Sequence, residues 1–444
     1  MIKESAKLLV FILLATACSS LYHTTETPEQ EENQAGYYNE DYMRFHDFTY
    51  RENIKTARLH KAGFALSMPA IRLGSDDHLV LSFDDLDADI KQYHYELIHC
   101  DANWKRSDLN KHQYSEGFET GNIDNYDFSY NTVEDFTNYT LRFPKENEPR
   151  PTISGNYIIK VFLSGNREQA VITQRFMVFE SKVSITAEIT KATPASRRYT
   201  HQEVNFSIQY DGYSVVNPEE NIKVMIMKNQ RWDKMLRNIK PRSIRSGELD
   251  YHYDGKLVFS GLNEFRFFDT RSLKHQAPRI EKLYHDSIEN HVKIKPDRPK
   301  TFENYTSVED INGKFYITSY DVNREKALES DYTWVHLSLL YNNPMEEGSV
   351  YVIGAMSNWQ FLEKNKMKYN HDSKRYESSL YLKQGYYNYH YVFLPNNSDR
   401  GDASIFEGQH YETENNYTIF VYHRPPGGLY DKLIAVERIN SKIN

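Results

Sequence analysis

The sequence lacks the local motifs that carry enzyme chemistry. It contains no HExxH zinc motif, no GxSxG nucleophile elbow, no P-loop and no GxGxxG turn, and its two cysteines, Cys18 and Cys100, form no CxxC pair. A hydrolase stays open as a minor hypothesis, because a triad or an acidic pair can be assembled from distant positions. We predict a protein that is not an enzyme and that uses no cofactor and no small-molecule substrate.

The sequence also lacks an excess of positive charge. The 54 Lys and Arg residues stand against 62 Asp and Glu residues, which gives a net charge of −8 without the basic stripe that phosphate contacts require. We therefore expect no nucleic-acid partner. Aromatic residues are plentiful at 14%, which separates the sequence from disordered chains, and a length of 444 residues predicts about three folded domains.

The N-terminus has the layout of a lipoprotein signal. Two lysines precede the apolar run 8–15, which is too short to span a bilayer. Residues 14–18, LATAC, resemble a bacterial lipobox, in which the cysteine becomes the acylated first residue, although Ala15 stands where the pattern prefers Leu. We predict a lipoprotein signal peptide at 1–17 and lipid attachment at Cys18. The alternative is ordinary cleavage that removes this cysteine or leaves it free.

Residues 18–45 are predicted to hold the acylated cysteine and a flexible tether, because the sequence after Cys18 is polar and acidic and has no apolar period. If Cys18 is acylated, Cys100 has no partner for an intramolecular disulfide. Cys100 lies in the largely apolar run 95–100. We expect it to be a buried free thiol that packs as a small hydrophobic group, rather than a nucleophile.

Short strands separated by turns dominate the remaining sequence. The runs 183–189 and 204–210 alternate apolar and polar residues at period two, which predicts strands with one wet face. The runs 157–163, 334–340 and 387–394 are richer in apolar residues on both faces and predict central or interface strands. No long window has a helical period. The pattern predicts an all-β fold of tandem immunoglobulin- or fibronectin-like β-sandwich domains.

Two domain boundaries are predicted from the strand pattern. The first boundary follows the predicted strand 175–180. The second, near residue 323, follows the predicted strand 313–319, and the polar stretch 323–330 is the predicted linker. This division gives three β-sandwiches, at 46–181, 182–323 and 324–444.

One acidic pattern has the spacing of a calcium loop. Asp85, Asp87 and Asp89, with Glu96 at the twelfth position, match the acidic positions of an EF-hand. Ile90, however, stands where the sharp turn needs Gly, and strong helical flanks are missing. We expect an acidic turn between two strands rather than a calcium site.

A zinc site next to this loop is equally unexpected. His94, His99, Cys100 and Asp101 are residue types that bind zinc, but His94 and His99 point to opposite sides of the predicted strand. We predict no metal site.

Aromatic residues near the C-terminus suggest a binding surface. Residues 350–359 resemble the strand-turn-Trp opening of starch- and glycogen-binding modules, in which an aromatic platform stacks on sugar rings. The predicted glycan or partner surface contains Trp359, Tyr386, Tyr387 and Tyr389. The alternative is that Trp359 packs on the edge of its own sandwich. Because residues 350–359 lie in the last predicted sandwich, that domain resembles a carbohydrate-binding module.

Short segments spread over the whole mature chain carry a family resemblance. They are 82–86 SFDDL, 99–104 HCDANW, 117–118 GF with 122–123 NI, 129–132 SYNT, 154–157 SGNY, 263–269 NEFRFFD, 310–313 DING, 382–389 LKQGYYNY and 413–417 TENNY. In this order the segments resemble the plug-protein family of the type IX secretion system of Bacteroidota. The resemblance rests on the set and not on any single motif.

The resemblance implies a non-enzymatic function. In that family the protein closes the periplasmic mouth of a large outer-membrane translocon barrel, so this barrel is the expected partner. The expected location is the periplasmic face of the outer membrane, where a lipid on Cys18 would raise the local concentration of the plug. The alternative hypothesis is a carbohydrate-binding outer-membrane lipoprotein that binds an α-glucan through Trp359.

Overall fold

The computed structural model describes residues 42–286, 288–322 and 327–442. Strands make up 45% of the chain and helices 6%, which confirms the predicted all-β fold of tandem β-sandwich domains. No helix within the described ranges is long and apolar enough to cross a membrane. The predicted signal peptide and nearly all of the predicted tether lie outside the described residues.

The first sandwich is formed by the strands between Phe48 and Phe179. Its strands are β1 Phe48–Thr49, β2 Ile54–Lys61, β3 Ala70–Arg72, β4 Leu79–Asp85, β5 Tyr93–Cys100, β6 Ser115–Glu116, β7 Gly121–Ile123, β8 Asn125–Phe128, β9 Thr137–Phe143, β10 Arg150–Pro151, β11 Gly155–Leu163 and β12 Ile172–Phe179, with the one-turn helix α1 Lys111–Tyr114. One sheet has the order β1-β12-β11-β5-β7, with β3 beside β12, and the facing sheet has the order β2-β4-β9-β8. Strands β6 and β10 pair separately. Apolar side chains from the two larger sheets meet in one buried cluster between them.

Strand β11 is buried along most of its length because both of its faces are covered. Tyr157, Ile159 and Val161 point into the core of the first sandwich. Ile158 points the other way, into a second apolar cluster that is shared with the next sandwich. The prediction of a central or interface strand at 157–163 is therefore confirmed.

The second sandwich begins after residue 183. Its first strands are β13 Ser184–Lys191, β14 His201–Gln209, β15 Ile222–Lys228, β16 Leu236–Ile239, β17 Ser243–Arg245, β18 Glu248–Asp250 and β19 Val258–Ser260, with α2 Pro218–Asn221 and 3-10 turns at Ala195–Arg197 and Trp232–Lys234. Strands β13, β14, β18 and β17 form one sheet, with β19 beside β14. The alternating strands predicted at 183–189 and 204–210 correspond to β13 and β14.

The third sandwich follows. Its strands are β20 Arg266–Asp269, β21 Ile280–His285, β22 Asn290–Ile294, β23 Phe315–Ile317, β24 Tyr332–Leu340, β25 Gly348–Ile353, β26 Lys368–Asn370, β27 Arg375–Lys383 and β28 Gly385–Pro395, with α3 Ser404–Glu407 and 3-10 turns at Ala355–Ser357 and Glu363–Asn365. Strands β21, β22, β24, β27 and β26 form one sheet, and β28 joins β20, β23 and β25 in the facing sheet.

The last two strands do not belong to the third sandwich. Strands β29 Asn416–His423 and β30 Lys432–Asn440 return to the second sandwich, where they complete a sheet of order β16-β15-β29-β30. The pairing of β15 with β29 aligns Ile226 with Ile419 across the ladder. The sheets therefore divide the chain differently from the predicted boundary at 323: the third sandwich is inserted between β19 and β29 of the second. Contacts group Met43–Asn444 into one compact unit.

Candidate functional site

The first and second sandwiches meet in an apolar joint. The outer side of β5, β11 and β12 packs against Met225, Met227, Phe420 and Leu433 of the second sandwich. A buried carboxylate fastens the rim of this joint. Asp431 accepts the backbone N–H of Ala102 at 2.9 Å and pairs with Lys223 and Arg424 of its own sandwich. Fully buried side chains thus connect the two domains.

The first and third sandwiches are joined by a buried ion pair. Asp84, at the end of β4, and Lys383, at the end of β27, lie 2.6 Å apart, with exposed side-chain fractions of 1% and 2%. The Tyr332 hydroxyl and the Asn138 amide each donate a hydrogen bond of 2.6 Å to the same carboxylate. Burial lowers the pKa of the Lys383 ammonium, and the charge of Asp84 opposes this shift.

A second contact supports the same joint. Asp331, which is buried in the third sandwich, accepts the backbone N–H groups of Val133 and Glu134 at 2.9 and 3.2 Å. The loop between β8 and β9 is thereby fixed against β24.

The second and third sandwiches meet around Trp359. The guanidinium of Arg231 lies 4.6 Å from the centroid of the Trp359 ring, and Lys234 donates a hydrogen bond of 2.8 Å to the carbonyl of Gly401. Each pair of sandwiches is therefore connected directly, and none of the three is attached only through its covalent links.

The structure contradicts most of the predicted aromatic surface. Trp359 is 7% exposed and packs against Phe265 and Arg231, so the alternative of an internal packing role is correct for this residue. Tyr387 is 2% exposed and Tyr389 is fully buried in the core of the third sandwich. None of these three rings offers a face to a sugar. The resemblance of residues 350–359 to starch-binding modules therefore does not include an aromatic platform for sugar rings.

Tyr386 is the exception because strand residues alternate between faces. It follows the buried turn of Gly385 and points to the outer side of β28, opposite to Tyr387. Its cross-strand neighbours are Tyr316 on β23 and Asp269 on β20, which lie on the same outer side.

Around Tyr386 the structure shows a partly exposed aromatic surface whose other members the sequence analysis did not name. We call it the Tyr386 face, and it consists of Phe267, Arg271, Tyr316, Tyr320 and Tyr386. Phe267 and Tyr386 stack with ring centroids 5.4 Å apart. Arg271 lies 4.5 Å from the Tyr320 ring and 5.3 Å from the Tyr386 ring. Tyr316 and Tyr320 are 41% and 60% exposed. The alternation of side chains along a strand could have predicted this face, because it puts Tyr386 on the side opposite to Tyr387 and Tyr389.

A lysine lies among the carboxylates of the acidic loop. Asp85, Asp87 and Asp89 bring carboxylate oxygens within 4.8 Å of one another. The Lys91 ammonium contacts all three, at 2.7, 2.5 and 3.0 Å, and Tyr93 donates a further hydrogen bond to Asp85. The loop therefore carries its own counter-charge.

The second cysteine lies where it was expected. Cys100 is a free, fully buried thiol at the end of β5, and burial raises its pKa. His99 is also buried and donates or accepts one hydrogen bond of 2.9 Å with Ser107, and burial lowers its pKa to about 4. His94 bonds Asn122 on the other side of the strand. Cys18, the predicted lipid attachment site, lies outside the described residues and stays a prediction.

Comparison with known proteins agrees with this architecture. Residues 54–180, which cover most of the first sandwich, match the family model of the type 9 secretion system plug protein first domain. The chain is similar in structure to a hypothetical protein from Parabacteroides merdae ATCC 43184, with 32% identity and a TM-score of 0.86 over 90% of this chain and 100% of that chain.

Other similarities are weaker. Alpha-2-macroglobulin from Escherichia coli, domains NIE-MG1, matches 45% of this chain and 89% of that chain at 11% identity, with a TM-score of 0.16 that carries no structural argument. No curated protein matches the sequence. The family model and the predicted resemblance agree, and the chain belongs to the family of type IX secretion system plug proteins.

Proposed function

We propose that this protein is a non-enzymatic plug that closes the periplasmic end of the outer-membrane translocon pore of type IX secretion. The observation that carries the proposal is the match of residues 54–180 to the plug family, which assigns the chain a role related to type IX secretion. The partner is a large outer-membrane barrel, and the protein acts by occupying space rather than by turning over a substrate.

The joints between the sandwiches support this function. A stopper made of loosely linked domains would let solutes pass between them, whereas a body with directly packed domains presents one surface. The buried Asp84–Lys383 pair and the buried Asp431 cluster join the first sandwich to the other two. Breaking such pairs inside a protein is costly, so the joints resist separation.

The Tyr386 face is our proposed contact with the barrel. Tyrosine and arginine supply much of the contact energy in protein interfaces, because they bury large areas and still offer polar groups. Here Tyr316 and Tyr320 are exposed beside Arg271, which is held by a two-fold contact with Asp269. The face is therefore ordered before a partner arrives, which lowers the entropy cost of binding.

We also propose that Cys18 is acylated and anchors the protein to the periplasmic side of the outer membrane. The lipobox-like residues 14–18 and the polar tether of the 18–45 segment support acylation and attachment to a membrane. A membrane anchor concentrates the plug near the barrel, so even a modest interface could keep the pore occupied. Metabolic labelling with a fatty-acid analogue should label the wild type and not Cys18→Ser.

Affinity purification with photo-crosslinking tests the barrel contact. A photoreactive amino acid replaces Tyr320 in one variant and Tyr199, which is 69% exposed on the second sandwich, in a control variant. The tagged protein is recovered from gently solubilised outer membranes of its own organism. We expect one very large barrel protein to co-purify in stoichiometric amount and to crosslink through position 320 and not through 199.

The possible results distinguish a failure of the plug function from a failure of the Tyr386 face as the contact with the barrel. Recovery of the barrel with crosslinks at 199 alone would keep the plug function and reject the Tyr386 face. Recovery of no barrel, under conditions that preserve other translocon complexes, would reject the function.

A further inference from the structure

A cleft of about 140 Å³ lies where all three sandwiches meet. The first sandwich contributes Arg58 and Gln174, the second contributes Trp232, and the third contributes Lys314 and Phe315. A site at such a junction is typical of ligand pockets, which form preferentially between domains. The plug function does not use this cleft, although Trp359, which lies in the joint between the second and third sandwiches, also lines it.

Arg58 is a cation without a counter-ion in the wall of this cleft. Its Nε is buried and has no hydrogen-bond partner among the described residues, and no carboxylate of those residues lies within 4.0 Å of its guanidinium. Among charged groups, Asp84 has the largest electrostatic influence on Arg58, but that carboxylate is already shared by Lys383 and Tyr332. Two cations thus stand around one carboxylate, and a buried charge without a partner is unfavourable.

Two further donors line the same cleft. Gln174 is 6% exposed, and its amide Nε2 is buried without a hydrogen-bond partner in the described part of the chain. Lys314 adds a second cation, and burial lowers its pKa to about 8. Asp47 is the one carboxylate among the lining residues; it accepts the Arg175 backbone N–H, and burial raises its pKa. The lining therefore has an excess of donors and positive charge.

The remaining walls are apolar and match the size of a small organic group. They include Leu66, Met68, Trp232 and Phe315. A cavity of about 150 Å³ with apolar walls holds a benzene molecule in another protein. An inorganic anion would satisfy the donors but would leave these apolar walls against water. A carboxylate attached to an apolar group satisfies both parts of the cleft.

We propose that this cleft binds an organic carboxylate, with the carboxylate group on Arg58 and Gln174 and its apolar part between Leu66, Trp232 and Phe315. An arginine fork matches the geometry of a carboxylate, which favours this pairing. The same chemistry has two sources, a free aliphatic acid or the C-terminal residue of a peptide. Because the walls come from three domains, a bound ligand also stabilises their arrangement.

Calorimetric titration of the soluble mature chain carrying Cys18→Ser tests this site. The probes are N-acetyl-leucine, a tetrapeptide that ends in leucine with a free C-terminus, the same peptide with an amidated C-terminus, and inorganic phosphate. We expect at least one free carboxylate to bind with a Kd of about 1 mM or tighter, as a ligand of about a dozen non-hydrogen atoms can. The amidated peptide should bind about tenfold or more weakly, because it lacks the charge.

Variants assign the binding to the cleft. Arg58→Gln and Gln174→Leu should each weaken binding of the better probe by about tenfold. Arg245→Gln, which alters an arginine whose side chain is 67% exposed on the second sandwich, should leave it unchanged. If Arg58→Gln does not fold, the comparison of free and amidated peptide on the unaltered cleft still decides the question.

Each result has a defined meaning. Equal binding of N-acetyl-leucine and peptide identifies a free acid as a sufficient ligand, and binding of the peptide alone identifies a C-terminus. Equal binding of free and amidated peptide, or of phosphate and carboxylate, would overturn the proposal. Absence of binding by every probe would mean that water alone solvates Arg58, and would overturn it as well. None of these results bears on whether the barrel co-purifies.

Discussion

The buried ion pair between the first and third sandwiches gives the most direct test of how the plug body is held together. Lys383→Met removes the cation and keeps the length of the side chain, whereas Asp84→Asn removes the carboxylate. Both positions are almost fully buried, so water cannot replace the lost partner. The two variants are not expected to be equal, because their surroundings differ.

The expected magnitudes follow from what each variant leaves behind. Removing one member of a buried pair costs about 3–5 kcal/mol of unfolding free energy. In Lys383→Met, Asp84 keeps its hydrogen bonds from Tyr332 and Asn138 and the electrostatic influence of Arg58. We therefore expect this variant to lose about 3 kcal/mol of unfolding free energy. Asp84→Asn leaves Lys383 without a counter-charge and also removes the negative charge that acts on Arg58 from a distance, so we expect a loss of about 5 kcal/mol.

Equilibrium unfolding in urea, followed by tryptophan fluorescence and circular dichroism, measures these values. Lys293→Met is the control, because Lys293 pairs with Glu281 at 3.2 Å with both side chains more than 40% exposed, at 43% and 41%. It should cost less than about 1 kcal/mol. In the Asp84→Asn, Lys383→Met double variant the two losses should not add, with a coupling of about 0.5–3 kcal/mol. Equal stability of Lys383→Met and Lys293→Met would show that the buried pair does not stabilise the joint between the first and third sandwiches.

Single side chains give four further tests. Millimolar calcium should leave the melting temperature of the wild type unchanged, because the Lys91 ammonium occupies the acidic loop; a rise would contradict this. Trp359→Ala should cost about 3–5 kcal/mol in urea unfolding, and neither protein should be retained on an α-glucan column. The pKa of His99 is lowered by burial from 6.5 to about 4, so the unfolded chain takes up this proton first as the pH falls. The contribution of neutral His99 to the free energy of unfolding is complete above about pH 6.5 and should fall by about 2 kcal/mol between pH 7 and pH 5. The variant His99→Gln should lose this pH dependence. Cys100 should react with a thiol reagent only after unfolding, since it is buried and its pKa is raised; labelling of the native protein would argue against the packing.

Local patterns predicted the strands well because their chemistry is local. The period-two alternation at 183–189 and the doubly apolar run at 157–163 both correspond to strands with the expected burial. The acidic turn predicted between two strands lies between β4 and β5, and the absence of a calcium site there stays a prediction. What the pattern did not reveal was that Lys91 supplies the counter-charge, although it lies only two residues from Asp89.

Long-range pairing is where sequence reasoning failed. The predicted boundary at 323 assumes that each sandwich is continuous in sequence, but β29 pairs with β15 across almost 200 residues. No local pattern specifies such a partner. The aromatic prediction failed for a different reason: it grouped Tyr386, Tyr387 and Tyr389 without applying strand parity, which puts Tyr386 on one side and the other two in the core.

The permeability of the outer membrane to a large hydrophilic antibiotic shows most directly whether this protein closes the translocon pore. It is compared in four strains: wild type, a strain lacking this protein, a strain lacking the translocon barrel, and a strain lacking both. We predict that loss of this protein alone makes the cells sensitive, and that loss of the barrel as well restores resistance. Unchanged permeability in the strain that lacks only this protein would contradict the account, as would sensitivity that persists without the barrel.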